Sequence, residues 1–252
     1  MTSRVLFLHG GPGLTAVLER RRWGHLPVHW WDQPRFSPGT QQAHEKLVRA
    51  TLDELASLYE PDRTPVPVLA SSFGAHLALT LMVRAPEQIG AVSIVGGIVD
   101  VRAALVQLGR RMAECKRDVT LADASDAAAR EVEPVWALIE HLFGLPGLLG
   151  CYWSPAARAQ CQEMLDLAAA GGLLHGPTFQ SVLREVFLRP LPNGPREWHA
   201  PLTVCLGRHD PYGTASDEKT WKQLLPYAQV SWVDAGHFPH LELNPSLWMP
   251  MI

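Results

Sequence analysis

The run Val66-Pro-Val-Leu-Ala-Ser-Ser-Phe-Gly-Ala-His-Leu-Ala-Leu-Thr-Leu-Met82 changes its period across one serine. Before Ser72 it is a short continuous apolar stretch, the pattern of a buried strand. After it the apolar residues recur at helical spacing. A strand that turns directly into a helix needs small residues at the crossing. Ala70 and Gly74, two before and two after the serine, supply them. Such a turn holds its serine in a strained conformation, with the hydroxyl projecting and a helix N-terminus behind it. Ser72 is therefore the candidate nucleophile, and its partners can be sought downstream.

Proteins that carry a serine on such a turn take their acid and base in the chain order Ser, Asp or Glu, His. Leu202-Thr-Val-Cys-Leu206 reads as a buried strand ending in Gly207-Arg-His-Asp210-Pro211, so Asp210 falls on a loop just past a strand. Val230-Ser-Trp-Val233 reads as another strand, followed by Asp234-Ala-Gly-His237-Phe-Pro-His240. His237 again follows a strand end. In an open parallel sheet these loops converge at the carboxyl edge, where ligands bind. Asp100, after the strand expected at 91–97, is the competing acid. His240 is read as packing or capping, Asp234 as a strand end, and His76 as a packed or surface histidine.

A fourth element lies near the start, where Val5-Leu-Phe-Leu8 leads into His9-Gly-Gly-Pro-Gly13. Glycines there let backbone N–H groups approach the serine without side chains in the way. Gly10 or Gly11, together with the N–H of Phe73, can bind the oxyanion of a tetrahedral intermediate. Pro12 has no N–H to offer. His9 is expected to orient this loop, with a substrate contact as the other reading.

His9-Gly-Gly-Pro-Gly13 followed by Trp31-Asp-Gln-Pro-Arg-Phe-Ser37 resembles the opening of the proline iminopeptidase branch of the α/β-hydrolases. That branch has Asp-Gln-Arg-Gly-x-Gly-x-Ser in the second segment and Gly-Gly-Ser-Trp-Gly at the serine. This chain has lost both glycines of the former and carries Ala-Ser-Ser-Phe-Gly in the latter. The resemblance runs from residue 4 to about residue 247, apart from the middle. It implies a mostly parallel sheet of about six strands flanked by helices. The core would span 1–100 and 199–252, with a helical cap over 101–198.

The chain reading agrees. Helices are expected around 15–23, 44–59 and after Ser72, alternating with strands at 4–8, 27–31, 66–71 and 91–97, and this alternation implies a parallel sheet covered on both faces. Residues 101–198 hold no strand-like run. Helices are expected over 101–116 and 127–143, the second interrupted by Pro134. A further helix is expected from Ser154-Pro155 to Gly171-Gly172, and another over 179–188. Trp136 and Trp153 in this stretch are candidates for an apolar substrate wall. Asp32 and Arg35 are read as a loop ion pair or as substrate contacts.

The 252 residues are 47% hydrophobic and 19% charged, enough apolar material for one large core. A net charge of −3 leaves no electrostatic argument for nucleic acid. Arg20-Arg21-Arg22, the tightest basic cluster, is read as a solvated helix face. No stretch approaches the roughly 20 apolar residues of a membrane span. Met1-Thr-Ser-Arg leads straight into the first strand, and Cys115, Cys151, Cys161 and Cys205 have no metal or disulfide spacing. A cytoplasmic protein without metal or cofactor, acting on a small molecule, is the expectation.

The chemistry expected is that of a serine hydrolase cleaving an ester, thioester, lactone or amide. An iminopeptidase would need a cap acid to grip a free amine, for which Glu114, Glu131, Glu133, Glu140, Glu163 and Glu185 are available. A lyase or cyclase reusing the three side chains, or a ligand-binding receptor, are the other readings, because one fold hosts many functions.

Overall fold

The computed structural model describes residues 5–59, 63–170, 173–189, 193–213 and 215–249, apart from the side chains of 169 and 215–217. Residues 1–4, Gly171-Gly172 and 190–192 of the proline-rich return segment lie outside the described residues. The chain alternates β1 (Val5–Leu8), α1 (Val17–Trp23), β2 (Val28–Trp30), α2 (Ala43–Tyr59), β3 (Val66–Ser71), α3 (Gly74–Arg84) and β4 (Ile89–Val95). Then come α4 (Val101–Lys116), α5 (Val119–Arg130), α6 (Pro134–Gly144), α7 (Cys161–Ala169) and α8 (Gly176–Val186). The chain closes with β5 (Leu202–Gly207), α9 (Ala215–Leu224), β6 (Gln229–Val233) and α10 (Pro239–Glu242).

The strands form one six-stranded sheet in the order β2-β1-β3-β4-β5-β6, every neighbouring pair parallel. Leu6, Phe7, Leu8, Ala70, Ile94, Val95 and Val204 are fully buried, as continuous apolar strands covered on both faces must be. The register aligns the strand ends: Leu8 pairs with Ala70, Ser71 with Val95, Val95 with Cys205, and Gly207 with Val233. The loops carrying residues 9–13, 72, 210 and 237 therefore leave one edge of the sheet. At Gly74 a Cβ would sit 2.1 Å from the Leu8 carbonyl oxygen, so only glycine lets α3 cross β1 this closely.

Between β4 and β5 the described residues are helices and turns only, with an apolar cluster of their own around Leu108, Leu121, Val135, Leu138 and Leu142. Several helix boundaries expected here are corrected. Asp118 accepts the Leu121 N–H and starts α5 upstream at Val119. Pro134 opens α6 rather than interrupting a helix over 127–143, because at a first turn its missing N–H costs nothing. Ser154 does accept the Ala157 N–H at 3.3 Å, but only one turn forms and α7 begins at Cys161. The Ser154 N–H is held by Glu242 of α10, which fixes this loop against the core. The helix expected over 179–188 begins earlier, at Gly176, because His175 caps it.

The arginine cluster does more than face solvent. Arg20 reaches the Trp30 carbonyl and Asp32, Arg21 pairs with Glu163, and Arg22 with Gln160. The Arg21 and Arg22 contacts, exposed as they are, tie α1 to the segment around α7. The four cysteines are all free thiols, and burial pushes the Cys205 thiol up to about 11. Among the described residues no helix is long and apolar enough to cross a membrane, and no cluster of metal-ligating side chains forms.

Candidate active site

Ser72 stands on the short turn between β3 and α3, with φ at +52°, a left-handed conformation unusual for serine. Its N–H is held by the Val95 carbonyl (3.1 Å), while its own carbonyl takes the N–H groups of Ala75 (3.1 Å) and Ile98 (3.3 Å). The strained turn is thus pinned by the end of β4 and the loop that follows it. The Ser72 hydroxyl is almost fully buried and lies 2.9 Å from Nε2 of His237. Nδ1 of His237 lies 2.8 Å from Oδ2 of Asp210.

Proton positions follow from the partners. A carboxylate only accepts, so Nδ1 of His237 carries the hydrogen and donates it to Asp210. Nε2 then presents a lone pair to the Ser72 hydroxyl. The other Asp210 oxygen accepts the Tyr212 N–H at 2.8 Å, and Arg111 of α4 donates to the Asp210 carbonyl at 2.8 Å. The His237 N–H is held by the Tyr152 carbonyl at 2.6 Å. The helical segment therefore contributes directly to where the imidazole and the carboxylate sit. Asp100, the competing acid, instead caps α4 by accepting the Ala103 N–H.

The glycine loop comes up against the serine. A Cβ on Gly10 would stand 2.9 Å from Cβ of Ser72, closer than any side chain permits. Among the described residues no acceptor takes the N–H groups of Gly10, Gly11 or Phe73. Gly11 and Phe73 line the pocket above Ser72. His9 lies behind the loop: Nδ1–H donates to the Gly10 carbonyl (2.8 Å) and Nε2 accepts the Gln33 N–H (3.1 Å). Burial lowers its pKa and keeps it neutral, as this tautomer requires.

The pocket itself encloses about 90 Å³ between Ser72 and the residues Val101, Leu105, Leu108, Leu142, Phe179 and Leu183. Ser72, Tyr152 and Tyr212 are the lining residues with polar side-chain atoms. Those two hydroxyls lie 2.7 Å apart, and the Tyr212 ring stands edge-on to the His237 ring at 4.9 Å. Burial pushes Tyr152 up to about 12 and Tyr212 well above the ordinary tyrosine range, so both stay protonated. Two hydroxyls sharing one bond leave one O–H free to donate. Sequence reasoning missed both tyrosines. Tyr212 had a usable signal, its position two residues after Asp210; Tyr152 had none.

Other expected substrate contacts are corrected. Asp32 pairs with Arg20 (2.6 Å) and accepts the Ala16 N–H, whereas Arg35 is exposed with no polar partner among the described residues. The loop that carries them follows β2, the edge strand, two strands away from Ser72. Trp136 packs on Phe187, about 10 Å along α6 from the pocket residue Phe143. Trp153 packs on Phe238, behind His237. His240 is fully buried against Glu19, and Asp234 pairs with His209 at the surface.

A larger cavity of about 600 Å³ lies on the other side of Val101, lined by His44, His76, Arg84, Arg102 and Arg189. Arg84 is bidentate to Glu45, and Arg189 pairs with Glu185. These two arginines are paired and the one hydroxyl, Thr80, donates to the His76 carbonyl, while Arg102, Nδ1 of His44 and Nε2 of His76 have no partner among the described residues. The smaller pocket, with the Ser72 hydroxyl hydrogen-bonded to His237 at its floor, is the candidate site.

No protein-family model and no curated protein matches the chain. Solved structures do. A proline iminopeptidase-related protein of Thermus thermophilus superposes with a TM-score of 0.68 at 22% identity, covering 94% of this chain and 83% of that one. Est816, an N-acyl homoserine lactone degrading enzyme, gives 0.60 at 19% identity, covering 96% and 88%. MenH from S. aureus gives 0.59 at 17% identity, covering 96% and 89%. At such identities the likeness speaks for architecture, and it agrees with the strand order and loop placement above: the chain has the α/β-hydrolase fold.

Proposed function

We propose that this chain is a serine hydrolase that cleaves a small ester, thioester or lactone with an apolar acyl group, through an acyl-enzyme on Ser72. The observation that carries this reading is the relay Ser72–His237–Asp210 at 2.9 and 2.8 Å under an apolar pocket. Serine is a poor nucleophile at its free pKa and needs the neighbouring base. His237 takes the hydroxyl proton as Ser72 attacks the acyl carbon and returns it to the leaving group. Asp210 holds the tautomer and stabilises the imidazolium. The free N–H groups of Phe73 and of Gly10 or Gly11 receive the oxyanion, each worth roughly 3–4 kcal/mol in the transition state. Water activated by the same imidazole then releases the acid.

The likeness to an enzyme that degrades N-acyl homoserine lactones fits this reading, since such molecules carry an acyl chain and a cyclic ester. The iminopeptidase reading finds less support. Glu114, Glu131, Glu133, Glu140 and Glu163 are exposed and Glu185 caps the start of α2, so none of the six lines the pocket. A cationic amine would have no counter-charge there, and burying an unpaired ion is costly.

The test is covalent labelling by a fluorophosphonate beside turnover of p-nitrophenyl esters and of proline p-nitroanilide. One label per chain, lost in Ser72→Ala together with a fall in ester turnover of about 10⁴-fold or more, is the expected result. A preference for the proline anilide would revive the iminopeptidase reading. Labelling without turnover of any ester would favour a lyase or a receptor.

A further inference from the structure

The pocket above Ser72 is too small to hold more than a short acyl group. At about 30 Å³ for each water-sized group, its 90 Å³ takes about three. Yet its outer wall is not solvent. Phe143 and Leu148 are also the inner wall of a second cavity of about 330 Å³, running along the surface between α6 and α7. Leu145, Leu149, Leu165, Ala168 and Leu173 continue it, and no charged or hydrogen-bonding side chain lines it. Phe143 and Leu165 are large apolar residues left 51% and 39% exposed there. An apolar surface of this kind, open to water and continuous with a reaction site, calls for an occupant.

The direction of the substrate follows from the acid–base geometry. The leaving group must lie beside Nε2 of His237, which returns its proton. His237 is flanked by Tyr212 (4.9 Å), Phe238 (5.0 Å) and Tyr152 (5.7 Å), so that side belongs to the leaving group. The acyl side then lies toward α4, α6 and α8, where the pocket is wholly apolar and where Phe143 closes it. Phe143 stands edge-on to Phe179 at 5.8 Å and sits at the end of α6, one residue before Gly144. A ring held by one aromatic neighbour and half in water can swing without unpacking a core.

Resting on the hydrolase reading above, we propose that the acyl chain of the substrate passes between Phe143 and Leu148 and lies in the groove between α6 and α7. The substrate class is an ester or thioester of a medium-length unbranched acid. With room for about three groups in the pocket and about ten in the groove, the two together take acids of up to about thirteen carbons. Phe143 and Leu148 are the specificity-determining pair: they divide short acyl groups, which stop at the pocket, from longer ones that bury their tails.

The experiment is a chain-length series of p-nitrophenyl esters from acetyl to dodecanoyl, kept below their aggregation concentrations. In the unaltered chain kcat/KM rises from butanoyl to decanoyl by at least tenfold, through KM, as even partial burial of the six added methylenes gives. Ala168→Trp fills the groove, and Leu165→Glu places a charge in it at an exposed position where folding is not at stake. Each lowers the decanoyl-to-butanoyl ratio of kcat/KM by about tenfold. An optimum at acetyl or butanoyl, or a ratio untouched by both variants, overturns the proposal. The latter result is also what a groove serving a partner or a second copy would give. If no ester is turned over at all, hydrolysis at Ser72 is what fails. The groove is then judged by calorimetric binding of decanoic acid, which either variant weakens if the chain lies there. Absent or unaltered binding overturns it.

Discussion

Two cavities meet at Val101 and differ in nearly every respect. One is small and apolar, with a relay of three polar side chains at its floor; the other is about seven times larger by volume and ringed by arginines and histidines. In the large one Arg84 pairs with Glu45, Arg189 with Glu185 and Asp100 with the first turn of α4, while Arg102, Nδ1 of His44 and Nε2 of His76 have no partner among the described residues. In the small one Ser72, His237 and Asp210 are hydrogen-bonded in sequence. Ser72, Tyr152, Tyr212, Gly11 and Phe73 all border the same space. What sets the small one apart is a hydroxyl, an imidazole and a carboxylate hydrogen-bonded in sequence beneath an apolar wall.

The sharpest way to break this contrast is to exchange the roles of the two carboxylates. Asp210→Asn removes the acceptor that sets the His237 tautomer, and turnover of a butanoyl ester should fall about 10⁴-fold. Asp100→Asn keeps a capping side chain and should change turnover by less than about threefold. The opposite ranking would move the relay's acid to Asp100 and dissolve the distinction.

The next effect is on stability and belongs to the large cavity. Burial holds His76 and His44 at about 4, against 6.5 in an unfolded chain. Between pH 6.5 and 4 the unfolded chain therefore binds more protons, so stability falls as pH drops through that window and is intact above it. For His76, stacked on Phe73 beside Asp100, the full span corresponds to roughly 3 kcal/mol. Thermal melts of the unaltered chain from pH 7 to 4 should show the decline, and His76→Gln should flatten it. Equal slopes would mean that this histidine is protonated in the fold and that the cavity is wetter than its burial implies.

The smallest effect is expected at the rim. Arg84 and Glu45 are 43% and 34% exposed, and pairs of that kind contribute about 0–1 kcal/mol. Arg84→Ala should leave urea unfolding within about 1 kcal/mol and ester turnover unchanged. A large loss of turnover would show that the charged cavity takes part in the reaction.

Legibility in the sequence followed locality. The strand–serine–helix crossing was readable because Ala70, Ser72 and Gly74 must be what they are within five consecutive residues. The central strands were readable because they are mostly apolar runs, and β6 because Val230, Trp232 and Val233 interrupt polar sequence. The loops at 210 and 237 were placed by their strands. In the helical segment the same reasoning failed at starts and stops. Asp118 and His175 cap helices without a flanking pattern that announces them, and Pro134 can end one helix or begin another. For Asp32 the sequence suggests Arg35, which is close along the chain, whereas the partner is Arg20, which is close in space.

What the chain's own order determined is the strained turn, the parallel sheet and the three loops that a parallel sheet must bring to one edge. These follow from local sterics and from the period of the apolar residues. What only tertiary structure decided is the wall around the site. The backbone of Tyr152 grips that of His237, Arg111 pins the carbonyl of Asp210, and Tyr152 meets Tyr212 across sixty positions. Contacts between residues so far apart depend on how helices pack, and packing is set by shape at the point of contact rather than by any repeat along the chain.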